Sequence, residues 1–360
     1  MRRMSSALIC IALLALCCAS VSAATYVLYY VDETHNVSRI GLDAKGKVVE
    51  PSRRLTAKGG YECFSISPDE KRLLGFKSTK RWFDKEESGE YFSNWAGFVE
   101  QLGAGAYRRA FPDAGASRGT PDIRWSPKSN YFQHWVGQFD VDVSVYAFDP
   151  LKRLREHCEI CMISADERFM IGSVVGFGFG VVDLVSNKGF KLGDAGYQCA
   201  WIGDTHEVAY VGESGVWAAQ VSSSGGAPAV TGARKIFSGD VTELRYVPGK
   251  GLCIVQGDYM RARTAKCSSD LRTFKTISWQ PGVDAYWFPE KWFKTHHDYL
   301  AGQWKASPDK KFAAVPISVG KNKIPEIRIY DRSFKGRVVA KGWAPIWKGS
   351  GVWSPWRIVE

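Results

Sequence analysis

An apolar strand, a Ser-Pro-Asp-like turn and a second apolar strand follow one another repeatedly along this chain. The pattern is YECFSISPDEKRLLGF at residues 61–76, and it returns as IRWSPKSNYFQHWV, ICMISADERFMIGSVV and QWKASPDKKFAAVPIS. Proline presets φ at the second position of a turn, and Asp, Gly or Lys follows where the chain reverses. Each copy therefore predicts a hairpin of two short strands, and its recurrence indicates an all-β repeat architecture.

The spacing of these turns predicts the number of repeats. Most intervals between successive turns are close to about 40–45 residues, the length that the four short strands of a propeller blade require. Two longer intervals indicate insertions near residues 77–95 and 280–302. We therefore predict a β-propeller with seven four-stranded blades, with six as the alternative. The second turn position is occupied by Pro68, Pro127, Ala165, Gly203, Pro248, Pro308 and Gly349.

Two copies of the pattern, FSISPDEKRLLGF and WKASPDKKFAAVP, resemble the repeat of Tol-B-type periplasmic β-propellers. The resemblance covers about residues 25–360 and implies the fold, because the motif is structural and accompanies many functions. The chain departs from the motif where Ala165, Gly203 and Gly349 replace proline and Lys128 replaces aspartate. These departures leave the choice between seven and six blades open.

The two ends of the chain predict how such a ring closes. Residues 24–56 have the pattern of the second, third and fourth strands of a blade that lacks its first strand. The C-terminal segment APIWKGSGVWSPWRIV offers the missing inner strand. A ring sealed in this way leaves no free sheet edge.

The first 23 residues have the features of a secretory signal. Arg2 and Arg3 precede a short apolar run, and small residues lead to a predicted cut after Ala23. The run is too short to span a bilayer, and no later segment approaches the about 18 uninterrupted apolar residues that a membrane span needs. We expect a periplasmic or extracellular protein, with residues 24–360 forming a single β-propeller domain. The net charge of +11 favours acidic partners, while the absence of a dense Lys/Arg run argues against nucleic acid.

Disulfides are permitted in an exported chain. Cys161 and Cys199 occupy equivalent positions on the inner strands of neighbouring blades, which lie about 10 Å apart. That separation exceeds the reach of a disulfide, so we predict that these two cysteines are not bonded to each other. Cys253 and Cys267 lie in one blade and are the better candidates.

Both insertions are rich in aromatic residues and are predicted on the face that carries the turns between second and third strands. Insertions gathered on one face usually mark the binding face of a repeat fold. The alternative is that these rings form satellite cores beneath long loops. The candidate ligand-binding residues are Trp82, Tyr91, Trp95, Trp287, Trp292, His296, His297 and Asp298.

Several inner strands begin with acidic or amide side chains, which would surround the mouth of a central channel. Clustered carboxylates favour a divalent cation, whereas solvated strand ends are the alternative explanation. No other cofactor is predicted, and no metal ligand is assigned. The candidate channel-mouth residues are Glu62, Asp122, Glu159, Glu243 and Gln303.

The sequence contains no nucleophile elbow, phosphate-binding loop or zinc spacing, so no catalytic residue is assigned. We expect a monomeric exported propeller, without a membrane span, that binds a partner protein or an anionic glycan. The alternative is a metal-dependent lyase or hydrolase acting on an anionic polysaccharide. That alternative follows from a resemblance to pectin-fragment lyases with this type of repeat, whose ligand set does not align with this chain.

Overall fold

The computed structural model describes most of the chain beyond the N-terminal segment, and every regular element in the described part is a β-strand. Contacts divide the chain into two compact units, Met1–Thr56 with Tyr299–Lys348 (unit 1) and Ala57–Asp298 with Gly349–Glu360 (unit 2). No helix in the described ranges is long and apolar enough to cross a membrane. The described residues are 24–84, 90–103, 108–111, 116–117, 121–135, 143–174, 177–193, 198–247, 249–257, 264–277, 304–320 and 323–348.

The strands of unit 1 come from both ends of the chain. They are β1 (Tyr26–Asp32), β2 (Val37–Leu42), β3 (Val48–Arg54), β24 (Lys305–Ala306), β25 (Phe312–Ile317), β26 (Glu326–Asp331) and β27 (Gly336–Trp347).

The strands of unit 2 fill the interval between them. They are β4 (Cys63–Ile66), β5 (Arg72–Asp84), β6 (Glu90–Gln101), β7 (Arg108–Phe111), β8 (Ala116–Ser117), β9 (Asp122–Trp125), β10 (Tyr131–Trp135), β11 (Val143–Ala147), β12 (Lys152–Ile163), β13 (Phe169–Val174), β14 (Gly178–Asp183), β15 (Gly189–Gly193), β16 (Cys199–Trp201), β17 (Glu207–Gly212), β18 (Gly215–Ser224), β19 (Ala227–Ser238), β20 (Glu243–Val247), β21 (Gly251–Gln256), β22 (Thr264–Ser268) and β23 (Lys275–Ile277).

The strands form antiparallel four-stranded meanders, in which each strand pairs with the next along the chain. β4–β7, β16–β19 and β20–β23 are separate meanders, and β8 adds to the first by pairing with β6. We label the strands of a meander a to d in order. Because neighbours are antiparallel, the a–b and c–d turns lie at one end of a meander, its lower end. The b–c turn lies at the opposite, upper end.

Two seven-stranded sheets each combine two meanders that share one long strand. β12 is strand d for β9–β11 and strand a for β13–β15. β27 is strand d for β24–β26 and strand a for β1–β3. The N-terminal meander thus receives from residues Gly342–Trp347 the inner strand that its own sequence lacks. The predicted pairing between chain ends is present, and the turn predicted at Gly349 lies outside the described residues.

A buried serine organises the a–b turns that the sequence motif marks. Its hydroxyl accepts a hydrogen bond from the backbone N–H five residues later, as Ser67 Oγ does from Arg72 N at 2.9 Å and Ser307 Oγ from Phe312 N at 3.1 Å. The residue three positions after the serine, Glu70 or Lys310 in these turns, has left-handed φ. The serine hydroxyl therefore provides a hydrogen-bond acceptor for a backbone N–H at the start of the second strand. The same arrangement recurs at Ser126 and Ser164.

The large rings of the inner strands form the core, as the alternating pattern predicts. Trp125, Trp201 and Trp347 are fully buried. The indole N–H of Trp201 donates to Met162 O at 3.0 Å, and that of Trp347 donates to Lys305 O at 2.7 Å. Each of these two bonds joins the inner strands of neighbouring meanders, so the tryptophans both fill the space between sheets and align them.

The cysteine predictions are confirmed. Cys253 and Cys267 face each other on β21 and β22 and form a disulfide, with their Cα atoms 4.1 Å apart. Cys199 is a free, buried thiol, so it is not bonded to Cys161. Burial raises the pKa of the Cys199 thiol to about 12, which keeps it protonated and unreactive.

Candidate functional site

The upper end of the β4–β7 meander carries the most extended structure among the described residues. β5 and β6 are thirteen and twelve residues long, whereas β4 and β7 have four residues each. β4 pairs with β5 as far as Phe76, so Lys77–Asp84 of β5 pairs only with β6 among the described strands. At about 3.3 Å per residue this ribbon extends about 25 Å beyond β4. The predicted insertion near residues 77–95 is therefore a continuation of a blade hairpin.

Aromatic residues occupy opposing positions along the outer part of this ribbon. Trp82 is opposite Phe92 and Phe83 is opposite Tyr91, although the side chains of Tyr91 and Phe92 lie outside the described ones. Phe83 is 48 % exposed, and Trp82 is half-buried. The ribbon therefore presents at least one large apolar surface to solvent, and it brings the backbones of the candidates Trp82 and Tyr91 close together.

Trp95 has a different role from the other aromatic candidates. It is 7 % exposed and belongs to a core cluster with Phe76, Trp125 and Phe132. Its position on β6 lies close to the point where the four-stranded part of the meander ends. This ring is therefore a core residue, as in the alternative that the rings of the insertion pack as a core. Trp95 stabilises the base of the ribbon instead of contributing to its surface.

Basic side chains accompany the aromatic residues of the ribbon. Lys77, Lys80 and Arg81 are exposed, and Lys80 Nζ lies 5.9 Å from the centroid of the Trp82 ring. Arg81 Nε donates to Ser93 Oγ across the ribbon at 3.4 Å. Sequence reasoning singled out the aromatic residues and missed these cations, although KSTKRW shows them beside Trp82. The ribbon combines positive charge with aromatic surface.

The channel-mouth carboxylates whose side chains are described are engaged within the protein. Glu62 Oε1 accepts a hydrogen bond from Ser78 N at 3.2 Å, next to the irregular register between Ser78 and Lys80. Glu243 forms an ion pair with Arg245, which lies two positions along β20, and both side chains are nearly buried. These two carboxylates therefore have structural partners.

The side chains of the remaining channel-mouth candidates are not among the described ones. Asp122 begins β9 and Glu159 lies on β12, but their side chains are outside the described set, as is all of Gln303. Within the described residues, no three His, Cys, Asp or Glu side chains gather as a metal site would require. A divalent cation stays a prediction.

The candidates in the second insertion, Trp287, Trp292, His296, His297 and Asp298, all lie outside the described residues. The described histidines occupy other turns. His35 lies in the upper β1–β2 turn, 4.7 Å from the Trp343 ring centroid. His206, in a lower turn, is bonded to Asp166 at 2.8 Å.

Asp32 anchors the upper turn that contains His35. Its carboxylate accepts hydrogen bonds from Thr34 N at 2.9 Å, Asn36 N at 3.2 Å and Ser38 Oγ at 2.8 Å. Burial would raise the pKa of Asp32, but these hydrogen bonds, with that from the Thr34 hydroxyl, lower it overall. The carboxylate is therefore charged at neutral pH and is used to hold the turn.

No family model matches this chain, and no curated protein does. Among solved structures it is similar to a eukaryotic initiation factor (11 % identity, 88 % of this chain and 73 % of that chain, TM-score 0.43). It is also similar to apo AztD from Citrobacter koseri (12 %, 92 % and 99 %, 0.38) and to the C-terminal WD40 domain of Sif2 (9 %, 89 % and 82 %, 0.38). With TM-scores below 0.5, these likenesses carry no argument about this chain.

Proposed function

We propose that this chain is a seven-bladed β-propeller that binds a partner protein or an anionic glycan through the upper ends of its blades. The blade count follows from the meanders when β12 and β27 each contribute to two of them. The blades are then β27 with β1–β3, β4–β7, β9–β12, β12–β15, β16–β19, β20–β23 and β24–β27.

One observation carries the functional part of the proposal, namely the β5–β6 ribbon with its exposed basic and aromatic residues. The ribbon lies beyond β4, and β8 adds to it by pairing with Ser93 and Asn94 of β6. So small a group of strands outside the main sheet contributes little to a core. Exposed rings beside cations are typical of binding surfaces, where aromatic residues supply contact area and cations attract acidic groups. Lys77, Lys80, Arg81 and Phe83 supply these properties at the upper end.

The enzymatic alternative stays a prediction. No ligand set for a metal-dependent lyase or hydrolase is assigned, and the candidate histidines His296 and His297 lie outside the described residues. Binding is the proposal because the exposed basic and aromatic residues of the ribbon favour it.

Photo-crosslinking at defined positions tests this proposal. A photoreactive phenylalanine analogue at Phe83 should capture a partner from the protein's own compartment, because this side chain is 48 % exposed at the upper end. The matched control is the same analogue at Val185, which is 69 % exposed in the lower turn between β14 and β15. Reversing the charge of Lys80 and Arg81 should abolish the Phe83 adduct. Equal labelling from both positions, or an adduct at Val185 alone, would contradict the proposal.

A further inference from the structure

Three turns meet at the lower end of unit 1. The Tyr26 hydroxyl donates to Asp309 in the β24–β25 turn at 2.5 Å, and Arg332 Nε, in the β26–β27 turn, donates to Lys310 O at 2.9 Å. A Cβ placed on Gly46, in the β2–β3 turn, would lie 2.9 Å from the Phe312 ring. Residues 43–48, 307–311 and 331–338 therefore form one continuous surface, which we call the basic end.

The basic end has a strong excess of positive charge. Its three segments contain seven basic and three acidic residues, a net charge of +4. Six of the basic side chains are exposed. They are Lys45, Lys47, Lys311, Arg332, Lys335 and Arg337.

The three acidic residues of this surface are turn anchors. Asp43 accepts hydrogen bonds from Lys45 N and Lys47 N at 2.8 and 2.9 Å, and Asp331 accepts one from Ser333 N at 2.8 Å. Asp309 accepts from the Ser307 hydroxyl at 2.8 Å. Lys311 Nζ also pairs with Asp309 at 3.3 Å. The net charge of +4 counts all three carboxylates, so the surface as a whole attracts anionic partners.

Exposed apolar side chains lie among these charges. Val48, Phe334 and Val338 are 38 %, 39 % and 50 % exposed, three of the eight large apolar side chains exposed in the described part of the chain. Phe334 has a φ of 58°, a backbone conformation that favours glycine or asparagine. A bulky apolar residue at such a turn position has a local backbone cost, and the exposed part of the Phe334 ring offers an apolar contact to a partner outside the chain.

We propose that the basic end docks on the surface of an anionic lipid bilayer. Basic side chains near a membrane are attracted by acidic headgroups, and exposed apolar side chains insert at the boundary between headgroups and acyl chains. Valine has no flat face on which a sugar ring could stack, so the aliphatic part of this surface fits lipid better than polysaccharide. The inference does not depend on the ribbon or on the proposed partner.

Flotation with lipid vesicles tests the docking. The protein should float with phosphatidylcholine vesicles that contain phosphatidylglycerol and not with vesicles of phosphatidylcholine alone, and binding should weaken as salt shortens the Debye length. The paired substitution Lys335→Glu with Arg337→Glu should weaken binding by about tenfold or more. The matched control, Lys80→Glu with Arg81→Glu, makes the same charge change on the ribbon and should retain binding. All variants share one N-terminus, so its own affinity for lipid cancels.

Phe334→Gly separates insertion from simple charge attraction. Glycine fits the left-handed backbone at this position, so the variant should fold, and it should bind anionic vesicles about threefold more weakly with unchanged salt dependence. Wild-type vesicle binding by both basic-end variants, or an equal loss in the ribbon control, would overturn the proposal. If polygalacturonate binds with the same dependence on Lys335 and Arg337 while Phe334→Gly has no effect on any binding, the surface recognises a soluble polyanion and the lipid proposal is wrong.

Discussion

β12 and β27 are both twelve-residue strands that belong to two meanders, but they join different parts of the chain. β12 joins meanders that follow each other in sequence, whereas β27 joins β24–β26 to β1–β3 from the opposite end of the chain. β12 changes partner at Cys158, which is opposite Val143 of β11 and Val174 of β13. β27 does so at Gly342, which has a φ of +147°. The junction within the chain is therefore formed by residues other than glycine. The junction between the chain ends depends on one glycine and on one strand near the C-terminus.

The largest expected effect comes from removing the second half of β27. A chain that ends at Gly342 lacks the inner strand of the N-terminal meander, including the fully buried Trp347. The loss should exceed about 5 kcal/mol, the lower limit of the stability of a whole domain, so unit 1 should not fold. Thermal unfolding followed by circular dichroism measures this, with a chain ending at Lys348 as the control that keeps all of β27. An unchanged melting temperature for the shorter chain would rule out a structural role for this pairing.

Gly342→Ala tests the junction without removing the strand. A Cβ at this position would lie 2.0 Å from Val31 O, across the β1–β27 pairing. We expect a loss of about 4 kcal/mol in the free energy of unfolding, since the backbone must move to relieve the clash. Gly103→Ala is the matched control, because Gly103 also has positive φ but no described atom lies within 4 Å of the added Cβ. That control should lose only about 1 kcal/mol, and similar losses for both variants would show that backbone conformation, not the junction, is responsible.

The disulfide of the β20–β23 meander provides a third kind of link, a covalent one within a single meander. Replacing Cys253 and Cys267 together with alanine should cost about 3 kcal/mol, as expected for closing a loop with a sequence separation of 14. Denaturant unfolding with and without reductant measures the effect. Reductant should destabilise the wild-type protein and leave the double variant unchanged. A second destabilisation of the variant by reductant would mean that another bond exists.

Tyr26→Phe should give the smallest effect, and its pH dependence identifies the contact between β1 and the β24–β25 turn. Burial would raise the pKa of Asp309, but hydrogen bonds from Tyr26, Ser307 and Lys311 lower it from 3.8 to about 2. The stability that this carboxylate contributes is therefore present above about pH 4 and is lost as pH falls towards 2.

The tyrosine adds an alkaline limit to the same contact. Burial, the hydrogen bond to Asp309 and the charge of Asp309 raise the pKa of Tyr26 from 10.0 to about 12, so its contribution is present below about pH 10 and is lost as pH rises towards 12. The difference in stability between wild type and Tyr26→Phe should be below about 1 kcal/mol at neutral pH and should vanish near pH 2. Tyr210→Phe is the control, because Tyr210 has no acidic partner among the described residues. A difference for Tyr26→Phe that does not change with pH would exclude the Asp309 contact as its source.

Much of the fold could be predicted because its signals are local. Turn chemistry at Pro68 and Pro308 and alternating apolar residues around Trp125 and Trp201 depend on a few neighbouring positions, and the disulfide follows from two cysteines within one repeat. The sequence also shows that the N-terminal meander lacks a strand. It does not show that β27 changes partner at Gly342, because that glycine's role depends on a carbonyl of β1.

The candidate site was harder to predict because the role of each residue depends on where it lies in the folded sheet. The alternating pattern of β6 does not reveal where the four-stranded part of the sheet ends, so Trp95 in the core and Trp82 on the ribbon look alike. Glu243 was predicted at a channel mouth, yet Arg245 lies two positions along the same strand and therefore on the same face. That spacing was a usable signal for the ion pair. No such signal marks the hydrogen bond of Glu62, because its donor, Ser78 N, lies beside an irregular register that only the folded sheet defines.

Hydrogen exchange of β1 tests whether β27 completes the N-terminal meander in solution. The comparison is made in the intact protein between Tyr26–Asp32 of β1 and Phe169–Val174 of β13, which occupy the same strand position beside β27 and β12. Strands with partners on both sides exchange slowly. Because β27 and β2 flank β1, the amides of β1 should be protected as strongly as those of β13. Rapid exchange in β1 with slow exchange in β13 would mean that β1 is a free edge, and the pairing of β1 with β27 would be contradicted.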